Sequence, residues 1–503
     1  MTAIALLQTT ELPRLAQPTI VAVAIVYFAI VGAIGVWATR RTRTASDFFV
    51  AGEGIGLAAL TLAAMSATLS GFAFIGGPAL VYTAGLGAMF LILPASVTSS
   101  MTSWALAKRM RLLGEVRGLV TVPDAIGARY RSPAAQGLSA VAILVAVVGY
   151  MATNLLALGL VIDAIFGTGL ALGVWIGMAI VLAYSVAGGI LAGVYTDMFQ
   201  GTLMAVASVL VFLYTLKVGG GMGGISRTIL ENDPGFLSAF GAMGPVAALS
   251  LFFVFGVGSM GQPHVIHKFY MLREPRKLKW YPLLVTVALL VTMLLYFGVG
   301  VAMKSLVAGG EVAPLSRPDD ATPFFLLRYT PVLLAAIVFS GVAAAIMSTV
   351  NSFMNIGAAA LTHDLPVALG RRVGNELLWG RISTVAISVA AAFLALLPGA
   401  LVAFLGIFGW GLFASTLVPA LAIGLNWEGA TREGAIASIS VGLVVTLFFE
   451  TLAYFKVYSF PAGVTVSGAS LVLSILVFFG VSWLTRQRAA GALDPDVALV
   501  MSV

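Results

Sequence analysis

The 503-residue sequence has no cysteine and three histidines, and only 9% of its residues are charged. The missing cysteine excludes disulfides, thiolate nucleophiles and thiolate-bound metals. Three histidines leave little for a metal centre. A water-soluble protein carries roughly 25% charged residues, so the shortage of charge excludes a soluble enzyme, a nucleic-acid binder and a disordered chain. What is abundant is apolar: 60% of the residues are hydrophobic. A spanning helix takes about 20 apolar residues, so the chain has enough for a dozen or more spans. It reads as an all-α polytopic membrane protein in a single transmembrane domain.

Apolar runs bounded by charges and Gly/Pro clusters predict thirteen spans. They cover 18–39, 55–84, 86–107, 134–165, 170–187, 190–217, 245–268, 281–307, 331–358, 381–398, 400–425, 433–454 and 464–485. The short apolar run at Ile4–Leu7, followed by Glu11 and Arg14, does not read as a cleavable signal. The chain also ends soon after the last span, so no C-terminal signalling module is expected. With the N-terminus outside, the inner loops collect twenty of the 27 Lys and Arg residues. The positive-inside rule therefore favours an outer N-terminus and a cytoplasmic C-terminus. The composition suggests a prokaryotic inner membrane.

Two spans contain what a continuous helix avoids. The second carries Ser66, Thr68, Ser70, Gly71, Gly76, Gly77 and Pro78; the seventh carries Gly256, Gly258, Gly261 and Pro263. Proline removes a backbone donor and glycine costs order, which predicts an interruption in each. Unwound backbone at membrane depth persists only where protein or a water-filled cavity satisfies it. The interrupted spans lie five apart, so residues 55–217 and 245–425 form two five-helix units of opposite orientation. Residues 1–54 and 433–503 flank them. Inverted repeats of this kind place solute and ion sites near the bilayer midplane.

In AAAIMSTVNSFMN (343–355), Ser348, Thr349, Asn351 and Ser352 cluster on an otherwise apolar helix. Hydroxyls and carbonyls suit a hard cation. Ser348, Thr349 and the Ala345 carbonyl supply half a cage, and carbonyls near Ser66 and Leu69 the other half. Periodicity alone favours helix packing for these small hydroxyls.

The segments SDFFVAGEGIG (46–56), TVPDAIGARY (121–130), GGILAGVYTDMFQG (188–201), GQPHVIHKFY (261–270), AAAIMSTVNSFMN (343–355) and GWGLFASTLVPALAIGLNW (409–427) together resemble the signature segments of the sodium:solute symporter family. The resemblance runs in order along nearly the whole chain. It implies the leucine-transporter fold, a five-plus-five inverted repeat with flanking helices. It also implies that Na+ is held by the backbone of Ser66, Leu69 and Ala345 and the hydroxyls of Ser348 and Thr349, with Asp197 on the inward sodium path. Asp197 lies about 12 Å into its span, where an unpaired carboxylate is costly; a structural pair with a nearby polar group is the other reading.

The solute should lie between the two breaks, among Thr68, Ser70, Phe74, Tyr150, Asn154, Gly261, Gln262, Pro263 and His264. Sugar-transporting members place polar residues just after the first break, where this chain has Phe72, Ala73 and Phe74. GQPH looks most like the proline-transporting branch, which expects a small carboxylated solute held partly by free amide N–H groups at a break. That branch has an aspartate where this chain has Thr68. An amino acid such as proline, a monocarboxylate and pantothenate stand as expectations. A proton-coupled transporter of the same fold and a sodium/sugar symporter are the alternatives.

Other readings fail on the residues. Gly52–Gly56 resembles a dinucleotide loop but follows no strand. His264 and His267 lack a third metal ligand. The glycines at 219–224 read as a linker turn. A channel would need a ring of selectivity residues, and an enzyme a paired acid and base. No nucleic acid or obligate protein partner is expected.

Overall fold

The computed structural model describes residues 18–40, 55–371, 373–399, 401–489 and 493–502. The N-terminal stretch with Ile4–Leu7, Glu11 and Arg14 and most of 46–56 lie outside the described residues. The elements used below are α1 (Pro18–Thr39), α2 (Leu57–Thr68), α3 (Gly77–Ala84), α4 (Lys108–Arg117), α5 (Val122–Tyr130), α6 (Pro133–Phe166) and α7 (Leu170–Val218). They continue with α8 (Pro245–Val257), α9 (Pro263–Ile266), α10 (Tyr281–Ala308), α11 (Ala321–Tyr329), α12 (Val332–Ala359) and α13 (Glu376–Ala395). The last four are α14 (Val402–Leu417), α15 (Arg432–Tyr454), α16 (Val466–Thr485) and α17 (Pro495–Met501).

Among the described residues, ten helices are long and apolar enough to cross a membrane, and the bent pair Pro245–Gly261 and Pro263–Met271 makes eleven. The thirteen-run division differs where a helical run exceeds one span. Phe72–Arg117 is 46 residues of near-continuous helix, turned at Gly85, whose φ of 70° suits glycine alone. A Cβ there would also stand 2.3 Å from the Phe236 carbonyl oxygen.

The other case is α7, 49 residues long, or about 74 Å if straight, more than twice a bilayer core. Its neighbours divide it into two arms. Gly173 abuts Gly159 near the end of α6, Gly193 abuts Asn351 toward the end of α12, and Thr215 meets Gly298 on α10. Two apolar arms, Leu170–Ala183 and Gly193–Val218, flank the expected division at 187–190.

Both expected interruptions are present. α2 stops at Thr68, Leu69 takes φ −87° and ψ 80°, and a π-helical turn, Phe72–Gly76, precedes α3. In the seventh span, α8 runs into a 3-10 turn, Gly258–Gly261; Gln262 is extended, and Pro263 starts α9 without needing a backbone donor.

On the face that collects most Lys and Arg, α5 is capped by Thr121, whose Oγ1 accepts from Asp124 N at 3.1 Å. The same hydroxyl donates to Asp364 Oδ1 at 2.6 Å, and His363 Nε2 lies 3.2 Å from Asp124 Oδ2. These contacts fasten α5 to the turn after α12. Asp124, His363 and Asp364 offer ligand-type atoms within 4.8 Å of one another, and their hydrogen bonds account for the cluster as a tie between elements.

The short α17 docks on this face through Asp494, which pairs with Arg117 and, at 3.1 Å, with Arg131; Asp496 meets Arg117 Nε at 3.1 Å. Val497 and Val500 are buried beneath it. The Arg117 hydrogen bond holds the Asp494 carboxyl down at about 2. Because its folded value is depressed, the stabilisation is complete above the usual carboxylate range and lost as pH falls toward 2. Amide protection of residues 493–502, relative to the unstructured exchange rate at the same pH, should therefore be high at neutral pH and lower near pH 2 or in Arg117→Ala. Equal exchange in the variant and the parent at neutral pH would remove this role from Arg117.

Candidate functional site

The break in α2 diverts backbone donors from their helical acceptors. Gly71 N–H would ordinarily serve the Ala67 carbonyl; it donates instead to Asn154 Oδ1 on α6, at 2.9 Å. Phe72 N–H goes to Ser70 Oγ at 3.2 Å, and Ala73 N–H to the Ser70 carbonyl. The carbonyls upstream are thereby left for other partners, as buried backbone oxygens require.

Those partners are the hydroxyls of α12. Ser348 Oγ lies 2.9 Å from the Ser66 carbonyl oxygen and 3.1 Å from that of Ala345. Thr349 Oγ1 lies 3.1 Å from the Ala67 carbonyl oxygen and 2.9 Å from that of Ala345. Ser66 Oγ donates to Ser348 Oγ at 2.8 Å. Ser66, Ser348 and Thr349 are fully buried. Uncharged hard oxygens from two helices thus converge at one point, and each hydroxyl can rotate its proton away and present a lone pair. Such a donor set fits sodium or another small hard cation.

Four of the five residues expected to hold the ion meet here. The fifth, Leu69, sits at the break with its N–H on the Met65 carbonyl; the carbonyl that Thr349 reaches is that of Ala67. Nothing in the identity of Ala67 marks its carbonyl for this contact. The diversion of Gly71 N–H was the missing signal.

Gly71 is also where three helices approach. A Cβ on it would stand 2.6 Å from Ala157 Cβ and 2.9 Å from Ile346 Cγ1. Overpacking of this kind costs about 1–3 kcal/mol. Gly71→Ala should therefore push α12 from the break and weaken cation binding without removing a polar atom. Sodium titration of the purified variant checks this, and unchanged affinity would show that the contact has slack.

The expected solute residues separate into three groups. Ser70 Oγ and Tyr150 OH face each other at 3.4 Å, and the His264 ring lies beside Tyr150 and Phe353 at centroid distances of 6.1 and 4.7 Å. His264 is buried with neither ring nitrogen partnered, and Gln262 Oε1 is likewise unpartnered. Gly261 and Pro263 flank them and are buried.

Asn154 belongs to a second group, because its Oδ1 holds Gly71 and its Nδ2 donates to the Tyr150 carbonyl at 2.9 Å. Its oxygen ties α6 to the first break, while its nitrogen bonds back within α6. In the third group, Thr68 donates back to the Ala64 carbonyl at 2.8 Å, while Phe74 is buried and its carbonyl accepts from Thr322 in α11. A cavity of about 50 Å³ opens beside Thr68, Leu69, Phe72, Tyr150, Tyr296 and Trp410. Of the expected solute residues, Thr68 and Tyr150 are part of its wall, and the other seven are not. The amide groups at the first break are engaged at Gly71 and Phe72, so a carboxylate there has to be met by side chains.

Asp197 is buried, and its Oδ2 accepts from Lys268 Nζ at 3.0 Å. Lys268 closes the apolar run 245–268, one of the Lys and Arg residues counted above on the inner side; the 3-10 turn His267–Met271 keeps it buried. One turn along α7, Gln200 Nε2 donates to Tyr27 OH of α1 at 2.8 Å. The Tyr27 hydroxyl also reaches Met347 Sδ, next to Ser348, at 3.8 Å.

Known proteins resemble the chain over nearly its whole length. A model of the sodium:solute symporter family matches residues 48–442. The osmoregulated proline transporter OpuE of Bacillus subtilis (strain 168) is 28% identical over 478 residues, covering 92% of this chain and 94% of that one. The high-affinity proline transporter PutP of the same organism is 26% identical over 476 residues, with 92% and 97% covered. Among solved structures, a Na+-coupled sialic acid symporter in a substrate-bound outward-open state superposes with a TM-score of 0.75 at 17% identity, covering 93% of this chain and 98% of that one. MHP1, a nucleobase-cation-symport-1 family transporter in a closed conformation, gives a TM-score of 0.57 at 12% identity, with 92% and 99% covered. Identity that low carries the fold alone, and the fold is leucine-transporter-like. The chain belongs to the sodium:solute symporter family.

Proposed function

We propose that this protein is a sodium-coupled symporter of a small carboxylated solute, with proline the first candidate. The observation that carries the reading is the convergence of the Ser66, Ala67 and Ala345 carbonyls with the Ser348 and Thr349 hydroxyls. Sodium bound there joins α2 to α12 and so favours the arrangement of the two repeats that binds solute. Coupling requires that differential affinity. The cluster holds no carboxylate, which favours sodium over a proton as the driving ion. Each charge crossing 100 mV supplies about 2.3 kcal/mol before any concentration term.

The solute lies between the breaks, against Ser70, Tyr150, Gln262 and His264. The unpartnered His264 nitrogens and Gln262 oxygen offer a donor and an acceptor to a zwitterion, and the aromatic walls suit a compact apolar body. That combination supports an amino acid over a sugar, as do the names of the proline-transporting relatives. The N-terminus lies outside and the C-terminus in the cytoplasm, following the distribution of Lys and Arg. The two repeats, 55–217 and 245–425, rock about the site while α15 and α16 pack beside them.

Uptake of labelled proline, pantothenate, pyruvate and galactose into proteoliposomes tests the reading, with sodium or choline outside. Accumulation of proline that requires sodium supports it. Accumulation driven by a proton gradient and indifferent to sodium would overturn the coupling. Sodium-dependent uptake of galactose alone would overturn the solute class.

A further inference from the structure

A buried carboxylate needs a counter-charge, and in a sodium-driven transporter a second sodium ion is the obvious source. Here the protein supplies its own. Lys268 and Asp197 form a pair at 3.0 Å in which the side chains keep 4% and 1% of their exposure. The ammonium rides on the segment that follows α9, in the second repeat, and the carboxylate sits on α7, in the first. Oxygens to hold an ion are nevertheless present. Asp197 Oδ1 is buried without a partner, and so is Gln200 Oε1 one turn further along the same helix. The ammonium neutralises the carboxylate through Oδ2, while Oδ1, the Gln200 oxygen and the Tyr27 hydroxyl that accepts from Gln200 remain as further oxygen donors on α7 and α1.

We infer that Lys268 is a tethered cation standing in for a second sodium ion at Asp197, so that the protein moves one sodium per solute. The inference rests on the sodium-coupled reading above and deepens it, because it sets the stoichiometry. Lys268 cannot leave with the transported ion. When the inner halves of the repeats separate, it withdraws with the segment after α9 and uncovers Asp197 for the departing sodium. A neutral side chain in its place leaves a bare carboxylate with spare oxygens around it. Sodium is the cation available to fill that gap.

The test is the ratio of labelled sodium to labelled solute taken up by proteoliposomes, in the wild type, in Lys268→Met and in Asp197→Asn/Lys268→Met. The expected ratios are about one, two and one, following from the charge balance at a buried carboxylate. The thermal midpoint of Lys268→Met should also rise more steeply with sodium than that of the wild type. If Lys268→Met does not accumulate, the double variant still decides: a ratio equal to that of the wild type supports the inference. A wild-type ratio near two that falls by one in the double variant would overturn it, because Asp197 then binds sodium despite the lysine. Lys268→Met with an unchanged ratio would overturn it too. Uptake with no sodium dependence in any variant would instead reject the sodium-coupled reading itself.

Discussion

Replacing Ser348 and Thr349 together by alanine should abolish sodium-dependent uptake while leaving the protein folded. A hydrogen bond to a charged group contributes about 1.5–3 kcal/mol, and a hydroxyl ligand to sodium is of the same order. Losing both costs about 3–6 kcal/mol, or roughly two to four decades of sodium affinity at 1.4 kcal/mol per decade. Folding should suffer much less. Each hydroxyl already spends its proton on a carbonyl within its own helix or on α2, and removing a hydroxyl deletes donor and acceptor together. The carbonyls of Ser66 and Ala67 do lose partners, so a modest loss of thermal stability accompanies the change. Uptake at saturating solute, measured against sodium concentration, separates the outcomes. A curve displaced beyond attainable sodium concentrations is the expected one. An undisplaced curve would take the α2–α12 junction out of the coupling mechanism.

The second large effect is expected at Asp197. Asp197→Ala strips Lys268 of its only hydrogen-bonded carboxylate among the described residues and leaves an ammonium in a low-dielectric interior. Breaking one partner of a buried pair costs about 3–5 kcal/mol. The thermal midpoint of the purified protein should fall sharply, and Asp197→Asn should fall less because an amide oxygen still accepts from Nζ. Adding Lys268→Met to Asp197→Ala should recover most of the loss, since no charge then remains to desolvate. A double variant as unstable as Asp197→Ala would show that shape at this position matters more than charge. Because the pair joins the two repeats, its loss should reduce transport as well as stability.

The two breaks were legible because they depend on residue types with unambiguous backbone consequences. Gly71 and Gly77 with Pro78, and Gly261 with Pro263, mark them directly. The hydroxyl pair on α12 was legible for a similar reason, being polar in an apolar setting.

What escaped the sequence lay in the backbone or in the distance between segments. Ala67 contributes a carbonyl that is free only because Asn154, 83 positions after Gly71, takes the Gly71 N–H. Asn154 was expected to face the solute because a lipid-facing amide would be unsatisfied; its oxygen instead ties α6 to the first break, and its nitrogen bonds back within α6. Lys268 was placed in an inner loop because it closes an apolar run. Its long side chain turns back toward α7, a reach that run lengths do not record. The divisions at Gly85 and within α7 were found from turn residues, but not the helical continuity through them.

The central claim is that a sodium ion bridges the broken second span and the hydroxyls of α12. Equilibrium binding of labelled sodium to purified protein, without solute or gradient, addresses it directly. The account predicts saturable binding to the wild type that disappears in Ser348→Ala/Thr349→Ala, while both proteins keep the same helical content. Saturable binding that survives unchanged in the double variant would contradict it.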